Sequence, residues 1–199
     1  MIDETYKPKP GRLSDRDITF LCIGDKPMIE PFVSAQAGRP SFGLSSAGYD
    51  FKLSDEYMVQ DNYGEESGSV VDPLNSETHR WIKKKATNNE IIIGPGECIL
   101  ASTVEYMRMP DDVQAIVLGK SSLARCNIIC NATPLENGWE GTVTLEITNC
   151  DPTNSVKLYV NQGIAQCLFD RMANVPDKTY TNRSVGGAYQ GQRGPTPSR

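Results

Sequence analysis

Residues 119–146 read GKSSLARCNIICNATPLENGWEGTVTLE and end in an alternating run of apolar and polar residues. In an extended chain, successive side chains point to opposite faces. Val143 and Leu145 would therefore share one face of a strand, and Thr144 and Glu146 the other. This alternation predicts a half-buried β-strand that begins shortly after a glycine-rich turn.

Similar short apolar or alternating runs recur along the chain, each bounded by glycine, proline, asparagine or aspartate. They are Ile91–Ile93, Cys98–Met107, Val113–Leu118, Thr142–Thr148, Val156–Val160 and Ile164–Phe169. Many short strands separated by turn residues predict an all-β sandwich, jelly roll or barrel. Around Leu13–Ile18, Ser14 can cap a short helix. Residues 52–90 are polar and predict a long irregular excursion or a hairpin.

Composition limits the function classes. The 199 residues fit one domain, residues 1–199, and the net charge of −5 argues against broad binding to nucleic acid. No run approaches the roughly 18 apolar residues of a membrane helix, and the N-terminus lacks the apolar core of a signal peptide, so we expect a cytoplasmic protein. The six dispersed cysteines predict reduced core residues rather than a disulfide scaffold.

Each of two polar segments can be interpreted either as solvated surface or as part of a binding site. Residues 182–199 are rich in glycine and poor in apolar residues, which predicts a mobile C-terminal tail, yet Ala188–Gly194 mixes glycine, amide, aromatic and cationic groups that could fold over a ligand as a lid. Lys83, Lys84 and Lys85 form the chain's only basic run. They indicate a solvated hairpin face or, alternatively, a site for a small anion.

Gly119–Arg125 follows a strand-like run and combines a permissive glycine, two serines and a lysine. If a helical turn starts here, the serines can cap it, and its free backbone N–H groups with Lys120 can bind phosphate. The alternative is an ordinary capped turn with a solvated lysine. Glu146 is equally open: it is a solvated carboxylate on a wet face, or a proton shuttle in a pocket.

A zinc deaminase is not indicated. Such enzymes carry His-x-Glu and Pro-Cys-x-x-Cys, whereas this chain has a single histidine, His79, followed by arginine, and has no Cys-x-x-Cys. We therefore expect no metal ligands in the protein.

Several motifs, taken in order, resemble one known family, the dCTP deaminases, over nearly the whole chain. They are Leu13–Ile18, Ile29–Phe32, Gly43–Ser46, Gly48–Asp50, Val71–Pro73, Thr103–Tyr106, Gly119–Arg125, Thr133–Glu136, Trp139–Gly141, Gly163–Gln166 and Tyr189–Gln192. The resemblance implies the distorted jelly roll of the trimeric dUTPases and a homotrimer with active sites between subunits. It also implies deamination of dCTP to dUTP and ammonia for thymidylate synthesis, with Mg²⁺ accompanying the triphosphate and dTTP as a candidate regulator.

The resemblance also assigns residues by position. Glu146 would be the general acid–base, and Ser121 and Arg125 would hold the attacking water. The nucleotide-binding residues would be Lys120 and Ser122 at the phosphates, Ala132 at the exocyclic group, Glu136 near the sugar, and Tyr180, Gln192 and Arg193 in the closing tail.

Two departures leave the substrate open. The family commonly has tyrosine at Ala47 and lysine at Ala188, so dCMP or a cytosine nucleotide altered at carbon 5 is an alternative substrate. A dUTPase or bifunctional enzyme is a further alternative. It is disfavoured because Glu136 stands where dUTPases place an aspartate that positions water. A non-catalytic nucleotide-binding module is the remaining alternative, although Glu146 and Arg125 are both present.

Overall fold

The structure is a computed structural model that describes residues 6–61, 70–75, 80–183 and 187–198; His79 lies outside these ranges. The described chain forms strands joined by turns, with two short helices. The elements are β1 Gly11–Arg12, α1 Asp15–Leu21, β2 Ile29–Glu30, β3 Gly43–Ser45, β4 Gly48–Gln60, β5 Trp81–Lys85, β6 Glu90–Ile93, β7 Cys98–Arg108, β8 Val113–Gly119, α2 Ser121–Ala124, β9 Ile128–Asn131, β10 Glu140–Asn149, β11 Val156–Tyr159 and β12 Gly163–Arg171.

The described residues form twelve strands and only two short helices, which confirms the all-β prediction. The pairs between these strands are antiparallel. The main sheet has the order β1-β12-β4-β7-β10-β9, with β2, β3, β5 and β8 paired to its members, and β6 and β11 form a second, two-stranded sheet. Apart from β10 and β9, neighbours in this order are not consecutive in the chain. The sheet therefore depends on long-range pairing, as in a jelly roll, rather than on successive hairpins.

The first helix begins where the sequence predicts. Ser14 and Asp17 form a capping box: the Ser14 side chain accepts from the Asp17 N–H, and Asp17 Oδ2 accepts from the Ser14 N–H at 2.8 Å. These bonds satisfy two backbone groups that the first turn leaves free. Ile18 is fully buried and anchors the helix to the core.

For residues 52–90 the structure agrees with the predicted hairpin, because β4 and β5 pair antiparallel, whereas the predicted irregular excursion is wrong for residues 52–60. They belong to β4, a strand of 13 residues, and β5 pairs with its second half. The pairing of β4 with β7 shifts register between Leu53 and Tyr57. Leu53 and Met58 are both buried although they are five positions apart. Because the irregularity reverses the alternation, the sequence pattern of a single strand is hidden.

Strand β10 has one face in the core and one face that is partly exposed. Val143, Leu145 and Ile147 are buried, while Thr144 and Glu146 are partly exposed on the opposite face, as the alternation predicts. Burying each such aliphatic side chain contributes about 1.5–3 kcal/mol. A slip of one residue would move Glu146 into the core, so packing of the apolar face fixes the register that keeps Glu146 accessible.

The described part of the C-terminal tail, residues 187–198, docks on the start of β10. Gln192 bridges to Gly141 in parallel, and its carbonyl accepts from the Thr142 N–H at 3.0 Å. The Trp139 indole donates to the Tyr189 carbonyl at 3.1 Å. Backbone pairing and buried donors thus hold a segment whose composition alone predicts mobility.

Among the described residues, no helix combines the length and the apolar character needed to cross a bilayer.

Candidate active site

A cleft of about 540 Å³ lies on the polar face of β10, between the loop that follows β9 and the docked tail. Thr144 and Glu146 contribute to its wall from β10, and Glu136 from the loop. Tyr180 and Gln192 close it from the C-terminal segments. The cleft therefore exists because elements from three parts of the chain meet at one strand.

Glu146 lies in this cleft with its side chain about half buried. Its Oε2 accepts a hydrogen bond from Asn131 Nδ2 at 3.0 Å, across the β9–β10 pair. Burial raises the pKa of Glu146 above its ordinary value, and the Asn131 hydrogen bond opposes part of that rise. A carboxylate with a raised pKa can both accept and donate a proton near neutral pH.

The tail wall is tied to β10 by side chains as well as backbone. Gln192 Nε2 donates to the Thr142 carbonyl at 2.8 Å and to Thr144 Oγ1 at 3.2 Å. The Thr196 N–H donates to the same hydroxyl at 3.2 Å. Gln192 Oε1 is buried without a hydrogen-bond partner, so the amide has unused acceptor capacity at the cleft.

The opposite wall carries an ion pair on an aromatic base. Arg183 Nη1 donates to both oxygens of Glu136, at 2.8 and 3.0 Å, and its guanidinium lies 4.1 Å from the centre of the Tyr180 ring. The Tyr180 hydroxyl accepts from the Tyr189 N–H at 3.2 Å. Tyr180 is buried and thereby connects the ion pair to the tail.

The turn at α2 lies outside this cleft. Ser121, Ser122 and Arg125 are exposed and do not line it. The predicted serine cap is wrong: Lys120 is the N-cap residue and makes no side-chain capping bond. Lys120 Nζ instead pairs with the buried carboxylate of Asp50 at 2.8 Å. This ion pair fixes the start of the turn while its serines stay open to solvent.

Arg193 also lies apart from Glu146. Its guanidinium stacks 4.4 Å from the centre of the Tyr106 ring and lines a second cleft, of about 320 Å³, together with Lys83, Lys84 and Lys85. The lysines are exposed on β5, which agrees with the predicted solvated hairpin face.

Comparison with known proteins identifies the family. The family model "dCTP deaminase-like" matches residues 12–172. A dCTP deaminase of Herpetosiphon aurantiacus is 44% identical over 174 residues, which are 86% of this chain and 90% of that protein. A dCTP deaminase of Campylobacter concisus is 44% identical over 191 residues, covering 95% of this chain and 98% of the relative.

This chain belongs to the dCTP deaminase-like family. Among solved structures, the 2′-deoxycytidine 5′-triphosphate deaminase of Agrobacterium tumefaciens matches with a TM-score of 0.59 at 18% identity. The match covers 81% of this chain and 48% of that one, so this chain spans about half its length. At this identity the likeness shows the shared fold.

Within one dCTP deaminase-like chain, the predicted site residues fall into two groups. Glu146, Glu136, Tyr180 and Gln192 line the cleft. The residues that do not line it are Lys120, Ser121, Ser122, Arg125, Ala132 and Arg193.

The two residues that depart from the family pattern, Ala47 and Ala188, lie in different places. Ala188 lines the cleft, whereas Ala47 lies in the turn between β3 and β4 and does not. Within one chain, Ala188 is thus the departure that lies at the cleft.

Sequence reasoning missed Asn131, and it named Arg183 only as a possible substitute for the lysine absent at Ala188, without its contact to Glu136. Asn131 bonds Glu146 only because β9 pairs with β10 in one register, and Arg183 reaches Glu136 from 47 positions away. Neither contact has a local sequence signal. Among the described residues, no three His, Cys, Asp or Glu side chains are grouped so that they could hold a metal ion.

Proposed function

We propose that this protein deaminates dCTP hydrolytically to dUTP and ammonia, and so supplies dUTP for thymidylate synthesis. The observation that carries the proposal is the half-buried Glu146 in a nucleotide-sized cleft, in a chain whose relatives at 44% identity are named dCTP deaminase. The proposal places the reaction in the cytoplasm, where deoxynucleotides are made. The chain acts as one domain, residues 1–199, with residues 182–199 as its lid.

Glu146 performs the proton transfers. Its carboxylate removes a proton from a water molecule as the water oxygen bonds to carbon 4 of cytosine, and the protonated carboxyl passes that proton to ring nitrogen 3. The remaining hydroxyl proton then moves through Glu146 to the amino group, which leaves as ammonia while the carbonyl forms. Such proton transfer contributes about 10²–10⁴ in rate.

The complete site needs a second copy of the chain. Ser121 and Arg125 would hold the attacking water, yet they are exposed and lie outside their own chain's cleft. Ile116, Leu118 and Ile129 are 43–58% exposed on the neighbouring strands β8 and β9. Exposed apolar side chains next to these exposed groups favour association of copies, and the proposed assembly is the homotrimer that the family resemblance implies, with active sites between subunits.

The nucleotide fills the remaining positions. Lys120 and Ser122 bind the phosphates. Mg²⁺ accompanies the triphosphate, and its positive charge would offset the negative charge of the phosphates. The backbone of Ala132 contacts the exocyclic group, Glu136 lies near the sugar hydroxyl, and Tyr180, Gln192 and Arg193 close the tail over the nucleotide. dTTP shares the sugar and triphosphate and is therefore a candidate competing regulator.

Ammonia release from dCTP, dCMP, CTP and dUTP tests the proposal directly, with pyrophosphate measured in parallel. We expect ammonia from dCTP, and at least a 100-fold loss of kcat in Glu146→Gln with dCTP binding retained. Glu90→Gln is the matched control, because Glu90 does not line the cleft and forms an ion pair with Lys157. Wild-type protein that binds dCTP without releasing ammonia would support a binding module instead.

Hydrolysis of dUTP is less favoured by the geometry. Arg183 Nη1 donates to both Glu136 oxygens, so orienting a water at the phosphates would compete with this ion pair. Pyrophosphate release from dCTP or dUTP in the same assay would reverse this conclusion.

A further inference from the structure

We infer that Asn131 is a positioning residue that fixes Glu146 by one carboxylate oxygen and leaves the other oxygen for proton transfer. The inference rests on the proposed function and adds a residue to its machinery. Asn131 is not among the residues that line the cleft. Its role is exerted through Glu146.

The contact follows from strand register. Asn131 is the last residue of β9 and is the direct cross-strand partner of Glu146 in β10, so both side chains lie on the same face of the sheet. The Asn131 Nδ2 to Glu146 Oε2 distance is 3.0 Å. Among the described residues, no other side chain makes a hydrogen bond to this carboxylate. Glu146 Oε1 is thus the oxygen available to the substrate and water.

The electrostatic surroundings make this one bond important. Burial raises the pKa of Glu146, and no ion pair within the described residues opposes the rise. The nearest thiol, Cys130, is neutral because burial raises its pKa to about 12. Strand β10 also pairs with β7 on its other edge, and there the cross-strand partner of Glu146 is Leu100, which is apolar.

The remaining charged and titratable groups of the cleft do not replace the amide. Nη1 of Arg183 is paired with Glu136, and Tyr180 and Tyr189 complete the tail side. The Asn131 side-chain amide is therefore the side-chain donor that, together with the backbone N–H of Glu146 itself, stabilises the carboxylate form. It also orients the carboxylate, because a bond to one oxygen restricts rotation of the group.

Titration of the carboxyl group by ¹³C NMR tests the inference without reference to activity. Glu146→Gln identifies the Glu146 resonance. In Asn131→Ala we expect its pKa to rise by about one unit, because the donor is lost while burial remains. Asn131→Asp should raise the pKa further through like-charge repulsion, and Asn131→Ser should restore part of the shift through its hydroxyl.

Asn174→Ala serves as the matched control, since Asn174 is exposed in the loop after β12. It should leave the titration unchanged. A Glu146 pKa that is the same in wild type, Asn131→Ala and Asn131→Asp would overturn the inference, provided that all variants fold and assemble alike.

Kinetics then separate a failure of this inference from a failure of the proposed function. If wild type releases ammonia, Asn131→Ala should lower kcat about tenfold, leave KM within about twofold, and move the acidic limb of the pH profile upward by about one unit. If kcat and the acidic limb of the pH profile were unchanged, the positioning role would be refuted and the proposed function would stand. A wild type that releases no ammonia would refute the proposed function, while the NMR titration would still decide whether Asn131 controls Glu146.

Discussion

Glu105 is a fully buried carboxyl group away from the cleft, on β7. Its Oε2 accepts from the Lys52 N–H at 2.9 Å, and the Lys52 ammonium lies 3.8 Å from Oε1, too far for a hydrogen bond. Burial raises the pKa of Glu105 to about 7, with the Lys52 contacts opposing the rise. The group therefore binds a proton more tightly in the folded than in the unfolded chain.

Glu105→Gln should change how stability depends on pH. Between an ordinary glutamate pKa of about 4.3 and the folded value of about 7, only the folded wild type holds the proton, so its free energy of unfolding falls as pH rises through this window. The loss is roughly 4 kcal/mol at most. Denaturant unfolding at pH 5 and pH 8 should show a smaller decrease in Glu105→Gln, and an equal decrease in both proteins would contradict the prediction.

At the scale of elements, the tail depends on a glycine at the start of β10. Gly141 has φ +151°, and an added Cβ would lie 2.8 Å from Trp139 Cζ2 and 3.0 Å from Gln192 Cγ. Gly141→Ala should therefore displace the tail from β10. We expect faster tryptic cleavage at Arg193, detected by mass spectrometry, and a KM for dCTP raised about tenfold.

Gly96→Ala provides the control for backbone strain alone. Gly96 also has positive φ, +68°, but an added Cβ there would meet nothing within 4 Å. Trypsin should cleave the Gly96→Ala protein at Arg193 at the wild-type rate. If Gly141→Ala were cleaved no faster than Gly96→Ala, the tail would not depend on this contact.

At the scale of the whole molecule, the proposed trimer, with active sites between copies, predicts complementation. Arg125→Ala disables the α2 turn and Glu146→Gln disables the cleft, so each protein alone should be inactive. In randomly mixed trimers, about one quarter of the sites should pair an intact Arg125 with an intact Glu146 from another copy. Ammonia release from co-expressed variants measures this directly. If both residues acted within one chain, every site would carry a defect and the mixture would stay inactive.

Local patterns in the sequence predicted a large part of the fold. Alternation located β7, β8, β10 and β12 to within two residues, and Ser14 marked the start of α1. The pattern failed in β4, where a register shift after Leu53 moves the buried side chains out of phase. A bulge depends on the partner strand, so a single strand's sequence does not reveal it.

By itself, the sequence determined the strand content, the exposed face of β10 that carries Glu146, and the family, because alternation and motif order are properties of the chain alone. Only the tertiary structure decided which residues meet at that face. Strand pairing brought Asn131 to Glu146, and docking of the tail brought Gln192 to Thr144. It also left Ser121 and Arg125 outside their own cleft. These are contacts between distant segments, and register and docking fix them through packing that no local pattern encodes.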